Sequence, residues 1–299
     1  MSTIDEQSVH EAFARQIHQN QSEWAGDDLQ ALSSQPGFFV HDELPSTNRF
    51  LIECLAKFEA SGDNANLPSF CIAARQSAGV GRRGTTWHSG TDCITFSMLD
   101  SLPLAPAQLS GLSLVTGVAI AETLQVICSK PLQLKWPNDV LVGNRKLSGI
   151  LTEVPHFDDQ ATSIVTGIGI NFAPDEKHRT IDRPIITIKE LMTESSLQES
   201  IRQENLRDTL IGQLAANVYT AHQLFVQKGW AGFRERYAER DALAGKPVSM
   251  QQGAENISGV ARGVAPDGAL QLEIAGSIHT FSAGEVTLGH QNPKGDGGV

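Results

Sequence analysis

The sequence is short of cysteine, of basic residues and of long apolar runs, and each shortage removes a class of protein. Four cysteines in 299 residues, Cys54, Cys71, Cys93 and Cys128, are too widely spaced for a C-x-x-C metal knuckle and too few for a disulfide framework, so they are read as reduced core residues. The nine histidines form no H-E-x-x-H or similar ligand pair, and no metal ligand is assigned. Lys and Arg total 23 against 34 Asp and Glu, a net charge of -11. That balance opposes binding to phosphate backbones, which depends on Lys and Arg, so nucleic acid is not an expected partner. No apolar run approaches the ~18 residues of a membrane span. The opening MSTIDEQSVHEAFARQ lacks the basic and apolar regions of a secretory signal. The expectation is a protein of the cytoplasm with no membrane partner.

What is present reads as a main domain with attachments. Residues 1–37 carry Val9, Phe13 and Ile17 at helical spacing and are read as an N-terminal helical extension. From Phe38, a strand FFVHDEL leads into a helix from PSTN, with Phe50, Leu51, Cys54, Leu55 and Phe58 on one face and Ser46 or Thr47 as its cap. Strands follow at Ser69–Ala74 and CITFSML, then an apolar helix from Pro106 to Cys128 and a strand LQLKW. A hairpin turns at Gly143-Asn144, the strand TSIVTGIGINF comes next, and helical patterns run from about Glu199 to Glu239. This predicts an α+β fold, a mixed β-sheet flanked by helices over residues 38–240. Short strands between Gly-rich turns over 241–290 predict a small C-terminal β-barrel, and 291–299 a disordered tail.

The segment RQSAGVGRRGTTW contains Gly79, Gly81 and Gly84 in a G-x-G-x-x-G pattern. A dinucleotide site would need a helix directly after the loop to receive a pyrophosphate. Here a β-branched, aromatic strand follows instead. A kinase-type loop does join two strands, but neither H-R-D nor D-F-G occurs downstream. What remains is a loop that lets backbone approach an anion closely while Arg82 and Arg83 supply charge, or else a solvated Gly-Arg turn. Downstream, KWPNDVLVGNRKLSGIL carries Lys135 and Lys146 on neighbouring strands with Asp139 between them. Each has an ordinary explanation as turn or hairpin chemistry.

Taken together, STN at 46–48, the loop from Gln76 to Trp87, KWPND, RKLSGIL and GIGIN resemble, in this order, the motifs of biotin-protein ligases, specifically a monofunctional form without the DNA-binding domain. The resemblance covers about residues 38–288. It implies a mixed-sheet catalytic domain followed by an SH3-like barrel. It also implies a reaction in which biotin and ATP, with Mg²⁺, form biotinyl-5′-adenylate, and the biotinyl group then passes to a lysine of the biotin carboxyl carrier domain of acetyl-CoA carboxylase. The implied biotin site comprises Ser46, Thr47, Asn48, Gln76, Gly79, Val80, Gly81, Arg82, Lys146 and Gly149. The nucleotide side comprises Arg83, Trp87, Lys146 and Asn171, and the catalytic groups are Lys146, Arg82 and Asp139. Joining a carboxylate to an α-phosphate brings two anions together, so Lys146 and Arg82 suit the first step. Asp139 is the candidate to orient or deprotonate the attacking lysine in the second.

Val80 and Thr85 stand where the family commonly has arginine. A DNA-binding N-terminus is not expected, because the first forty residues set six acids against the single Arg15. The resemblance leaves a homodimer open. The alternatives are a lipoate-type acyl-adenylate ligase and a non-catalytic sensor of biotinyl-adenylate.

Overall fold

The computed structural model describes residues 4–23, 36–61, 67–88, 90, 93–175, 184–194, 205–253 and 255–288. Its centre is a seven-stranded mixed sheet in the order β1-β2-β3-β7-β6-β5-β4. The strands are β1 (Gly37–Leu44), β2 (Ser69–Gln76), β3 (Cys93–Leu102), β4 (Gln133–Lys135), β5 (Asp139–Val142), β6 (Arg145–Phe157) and β7 (Thr162–Asn171). Only β1 and β2 run parallel, because α2 (Thr47–Ser61) forms the crossover between them. Phe50 N–H donates to the Ser46 carbonyl at 3.1 Å, so the expected start of α2 at Ser46-Thr47 is the observed one.

Alternation along β3 sorts the two faces. Ile94, Phe96 and Met98 are fully buried in the main core, which holds α3 (Leu112–Gln125) and α5 (Leu206–Lys228). Leu99, on the opposite face, joins Leu51 and Leu55 of α2 in a second, smaller cluster. Against the expectation of no such run, the stretch Pro106–Gln125 is long and apolar enough to cross a membrane by length and composition alone, with mean hydropathy 1.3. Its residues Val115, Val118, Ile120, Ala121 and Leu124 are sealed in the core, as befits a helix apolar on all sides and enclosed by other elements. The predicted long helix breaks at Gly111, which adopts φ 90° between the 3₁₀ turn Pro106–Leu109 and α3.

The N-terminal helix is present as α1 (Glu6–Glu23), and it is bound into the main core rather than appended to it. Val9, Ala12 and Phe13 are buried, and α1 lies along α5. A Cβ on Gly212 would come within 2.4 Å of the Val9 carbonyl oxygen, so the two backbones approach too closely for any side chain there. Residues 1–3 and 24–35 of the predicted 1–37 segment lie outside the described residues.

After the one-turn helix α4 (Ile188–Leu191) and the short α6 (Arg234–Ala238), the C-terminal part forms a five-stranded antiparallel sheet in the order β11-β10-β9-β8-β12. Its strands are β8 (Pro247–Gln252), β9 (Glu255–Val264), β10 (Leu270–Ile274), β11 (Ser277–Phe281) and β12 (Glu285–Leu288). Among the described residues β11 and β12 are the two edges of this sheet, so it is an open sheet where a closed barrel was expected. It is seated on the larger domain: Trp136 Nε1–H donates to the Gly268 carbonyl (3.1 Å) and Trp230 Nε1–H to that of Ala265 (3.0 Å). The predicted tail 291–299 lies outside the described residues.

Candidate active site

A cleft of about 610 Å³ opens on the α2 side of the sheet. Its floor is a row of register partners. Asp139 faces Gly149, Gly149 faces Gly169, and Gly169 faces Thr95, so the row crosses β5, β6, β7 and β3. The floor is bare where other side chains must lie on it. A Cβ at Gly169 would come within 2.3 Å of the Trp87 indole, and one at Gly167 within 2.2 Å of Asn48 Oδ1. The two glycines of GIGIN therefore make room for an aromatic ring and an amide.

Lys146 reaches this floor through a bulge. Asp139 pairs with Gly149 and Val140 with Ser148, but Leu141 pairs with Lys146 and Val142 with Arg145. One extra residue thus sits in β6. Strict alternation would put residues 146 and 149 on opposite faces; the bulge turns Lys146 onto the face of Gly149. Lys146 Nζ is ion-paired with Asp139 Oδ1, their side chains 10% and 14% exposed. It also lies 5.8 Å from the Trp87 ring centroid.

The glycine loop forms a small hairpin over the floor. Trp87 N–H donates to the Gly79 carbonyl (2.9 Å) and Gly81 N–H to that of Thr85 (2.7 Å), and Val80 bridges Thr86. The tip is the 3₁₀ turn Arg82–Gly84, with Arg83 at φ 54°. Arg82 Nη1 approaches Asn138 Oδ1 at 3.5 Å. Burial lowers the Arg82 pKa and the neighbouring Arg83 lowers it further, against the opposing influence of Asp139 and Glu285. An anion entering the cleft would relieve that cost. The indole Nε1 of Trp87 is a buried donor with no partner among the described residues, a second group left for a ligand to satisfy.

At the β3 side of the cleft stands a polar cluster at the start of α2. Gln76 Oε1 accepts from Thr47 N–H (2.8 Å) and from the Thr47 hydroxyl (3.2 Å). Asn48 Nδ2 donates to Glu153 Oε2 (2.6 Å) and to the Leu151 carbonyl (3.3 Å). The cluster is carried by α2 and β2, whereas the cation stands on β6 beside Asp139 of β5.

The comparisons with known proteins agree with this geometry. Residues 43–171 match the biotin/lipoate A/B protein ligase family, and residues 244–289 match the biotin protein ligase C-terminal domain. The chain is 35% identical over 247 residues to the bifunctional ligase/repressor BirA of Escherichia coli K12, covering 82% of this chain and 72% of that protein. The chain belongs to the biotin protein ligase family. Another member, the biotin acetyl-CoA-carboxylase ligase of Mycobacterium tuberculosis, is 28% identical over 86% of this chain and 92% of its own. The solved biotin protein ligase of Aquifex aeolicus, in complex with biotin and ATP, superposes with a TM-score of 0.63 at 26% identity, covering 85% of this chain and 98% of that one.

Of the residues the family resemblance pointed to, Ser46, Thr47, Asn48, Gln76, Val80, Gly81, Arg82, Arg83, Trp87, Asp139, Lys146 and Gly149 line the cleft. Two do not. Gly79 is buried at the neck of the loop, where a Cβ would meet the Trp87 carbonyl at 2.7 Å. Asn171 is buried, its Nδ2 donating to the Lys146 carbonyl at 3.1 Å, so in this structure it steadies the bulged strand. The sequence reading missed Asn138, whose Nδ2 donates to the Ile150 carbonyl (2.8 Å), and Ser97, buried beneath Thr47 and Asn48. It also missed the Gly284–Leu288 edge of the C-terminal sheet, which lines the cleft with Glu285. Asn138 stood within a motif already quoted; the other two gave no local signal.

Proposed function

We propose that the chain joins biotin to ATP as biotinyl-5′-adenylate, with loss of pyrophosphate, and transfers the biotinyl group to a lysine of the biotin carboxyl carrier domain of acetyl-CoA carboxylase. The observation that carries this reading is the pairing, in one cleft, of a polar head-group site at Thr47 and Gln76 with a cation brought by the β6 bulge to Lys146. In the first step a biotin carboxylate oxygen attacks the α-phosphorus and pyrophosphate leaves. Lys146 and Arg82 lower the repulsion between the two anions, and most where they meet in the transition state. In the second, the carrier amine attacks the acyl carbon and AMP leaves. Asp139 is the group placed to orient that amine and take its proton. Trp87 offers an N–H without a partner among the described residues and a flat ring beside Lys146, on the side we assign to the nucleotide. Asn171 acts there through the Lys146 strand it holds.

Among the described residues no three His, Cys, Asp or Glu side chains converge on a metal position. The Mg²⁺ of this proposal arrives with the triphosphate and offsets its charge there. We read the C-terminal sheet as the SH3-like module of the family, with domain limits of 38–240 and 241–290, and the cytoplasm as its setting.

A lipoate-type ligase is the second reading, and the head-group site argues against it. A dithiolane ring makes no strong hydrogen bonds, so the polar groups that Thr47 and Gln76 present to the cleft would face apolar surface. Pyrophosphate exchange with biotin, lipoate and octanoate offered in turn, followed by transfer to a carrier domain, tests the proposal. Exchange with lipoate and none with biotin would overturn it.

A further inference from the structure

The buried polar groups behind the head-group site are connected in one direction. A carboxylate and a carbonyl can only accept, so Glu153 Oε2 and the Leu151 carbonyl oblige the Asn48 amide to face them with its NH₂, at 2.6 and 3.3 Å. Asn48 Oδ1 is thereby turned to Ser97 Oγ, 2.5 Å away. Ser97 is fully buried and has a single hydroxyl proton. An amide oxygen takes no other role than acceptor, so that proton goes to Asn48. Ser97 Oγ also lies 2.7 Å from Thr47 Oγ1, and with its own proton committed it is left as an acceptor there. The Thr47 proton has two inward destinations, Ser97 Oγ and Gln76 Oε1 at 3.2 Å. With either, the lone pairs of Thr47 Oγ1 are what the hydroxyl offers the cleft. The space for this arrangement is provided by Gly167, where any side chain would collide with Asn48 Oδ1.

We propose that Glu153, Asn48 and Ser97 form a polarity relay that holds the Thr47 hydroxyl as a hydrogen-bond acceptor toward the cleft, so that the head-group site selects a ligand N–H at that point. Glu153 does not line the cleft; it and Ser97 are positioning residues acting through Thr47. The inference rests on the biotin reading above, whose ureido group carries two N–H donors, and adds to it the group that decides which way the site is polarised.

The test compares biotin with two cyclic carbamate analogues, in each of which one ureido N–H is replaced by oxygen. Binding would be measured with the full chain for wild type, Ser97→Ala and Glu153→Gln, with thermal unfolding as a check on folding. Wild type should prefer biotin to one of the analogues by about tenfold or more, since an acceptor facing an oxygen loses a hydrogen bond and gains a repulsion. Without Ser97 the inward acceptor left to Thr47 is Gln76 Oε1, at the longer distance of 3.2 Å, and a ligand oxygen can compete for the proton. In Ser97→Ala that preference should therefore fall to less than about threefold, with the adenylation rate at saturating biotin changed less than about twofold, whereas Glu153→Gln, whose amide oxygen still accepts from Asn48, should keep the wild-type preference. A merely structural role would weaken biotin and analogue alike. An unchanged preference in folded Ser97→Ala would accordingly overturn the relay while leaving biotin ligation intact. Wild type that binds neither biotin nor the analogues would overturn both.

Discussion

Replacing Lys146 by alanine should cost more than the loss of one cation, because the structure couples Lys146 to Asp139 in a nearly closed setting. Removing a preorganised charge from the point where carboxylate and phosphate meet costs about 3 kcal/mol, roughly a hundredfold in adenylation rate. The variant also leaves Asp139 as an uncompensated anion facing two others. At an effective dielectric of about 40 and a separation of about 6 Å, that repulsion is ~1.4 kcal/mol, a further factor of about ten. Lys146→Ala should therefore lower single-turnover adenylation about a thousandfold. Lys146→Ala/Asp139→Asn, with the stranded charge removed, should recover to a deficit of about a hundredfold. Asp139→Asn alone should slow adenylation by less than about tenfold and transfer to the carrier by considerably more, since only transfer needs the amine deprotonated. The assay is rapid-quench formation of biotinyl-adenylate for the four proteins, with transfer measured separately from preformed adenylate. If the double variant is as slow as the product of the two single effects, the residues do not act as a pair and the reasoning fails.

Arg82→Gly should raise biotinyl-adenylate dissociation about ten- to a hundredfold, the equivalent of one charge-assisted hydrogen bond. The escaped adenylate would label lysines of an unrelated protein; unchanged retention would show that the hairpin is held by its backbone alone. Deleting α1 should lower the melting temperature by roughly 10 °C, because burial of Val9, Ala12 and Phe13 against α5 contributes about 4 kcal/mol, and an unaltered melting curve would contradict the packing. Burial raises the Asp100 carboxyl from 3.8 to about 7, against hydrogen bonds from Ser101 N–H and Gln223. The folded state thus holds a proton that the unfolded chain has released, so this group's contribution to stability falls as pH rises from about 4 to about 7 and is level above that. Asp100→Asn should flatten this part of a pH series of unfolding midpoints, and an identical slope in the variant would refute the assignment.

Much of the site could be read from local sequence because its chemistry is concentrated in short runs. The positions of STN and KWPND at element boundaries follow from capping and turn preferences that act over a few residues. The exclusion of a dinucleotide loop came from a strand following the glycines, and β3 does follow them. Periodicity failed where the chain departs from it. An alternating strand puts residues 146 and 149 on opposite faces, and only the extra residue in β6 brings Lys146 to Asp139 and Gly149. GIGIN announced a strand, but not that one glycine accommodates Trp87 and the other Asn48.

The sequence by itself therefore determined the family, the sheet-and-helix class and the residue types the reaction needs, since these depend on composition and on neighbours along the chain. Tertiary structure alone decided the direction of the hydrogen bonds at Thr47, the anchoring of α1 and the presence of Glu285 at the cleft. Each of these joins residues far apart in sequence: Ser97 lies 49 positions from Asn48 and Glu153 lies 105 from it. A contact between such positions leaves no periodic or local trace, because it is created by strand register and by one surface closing on another.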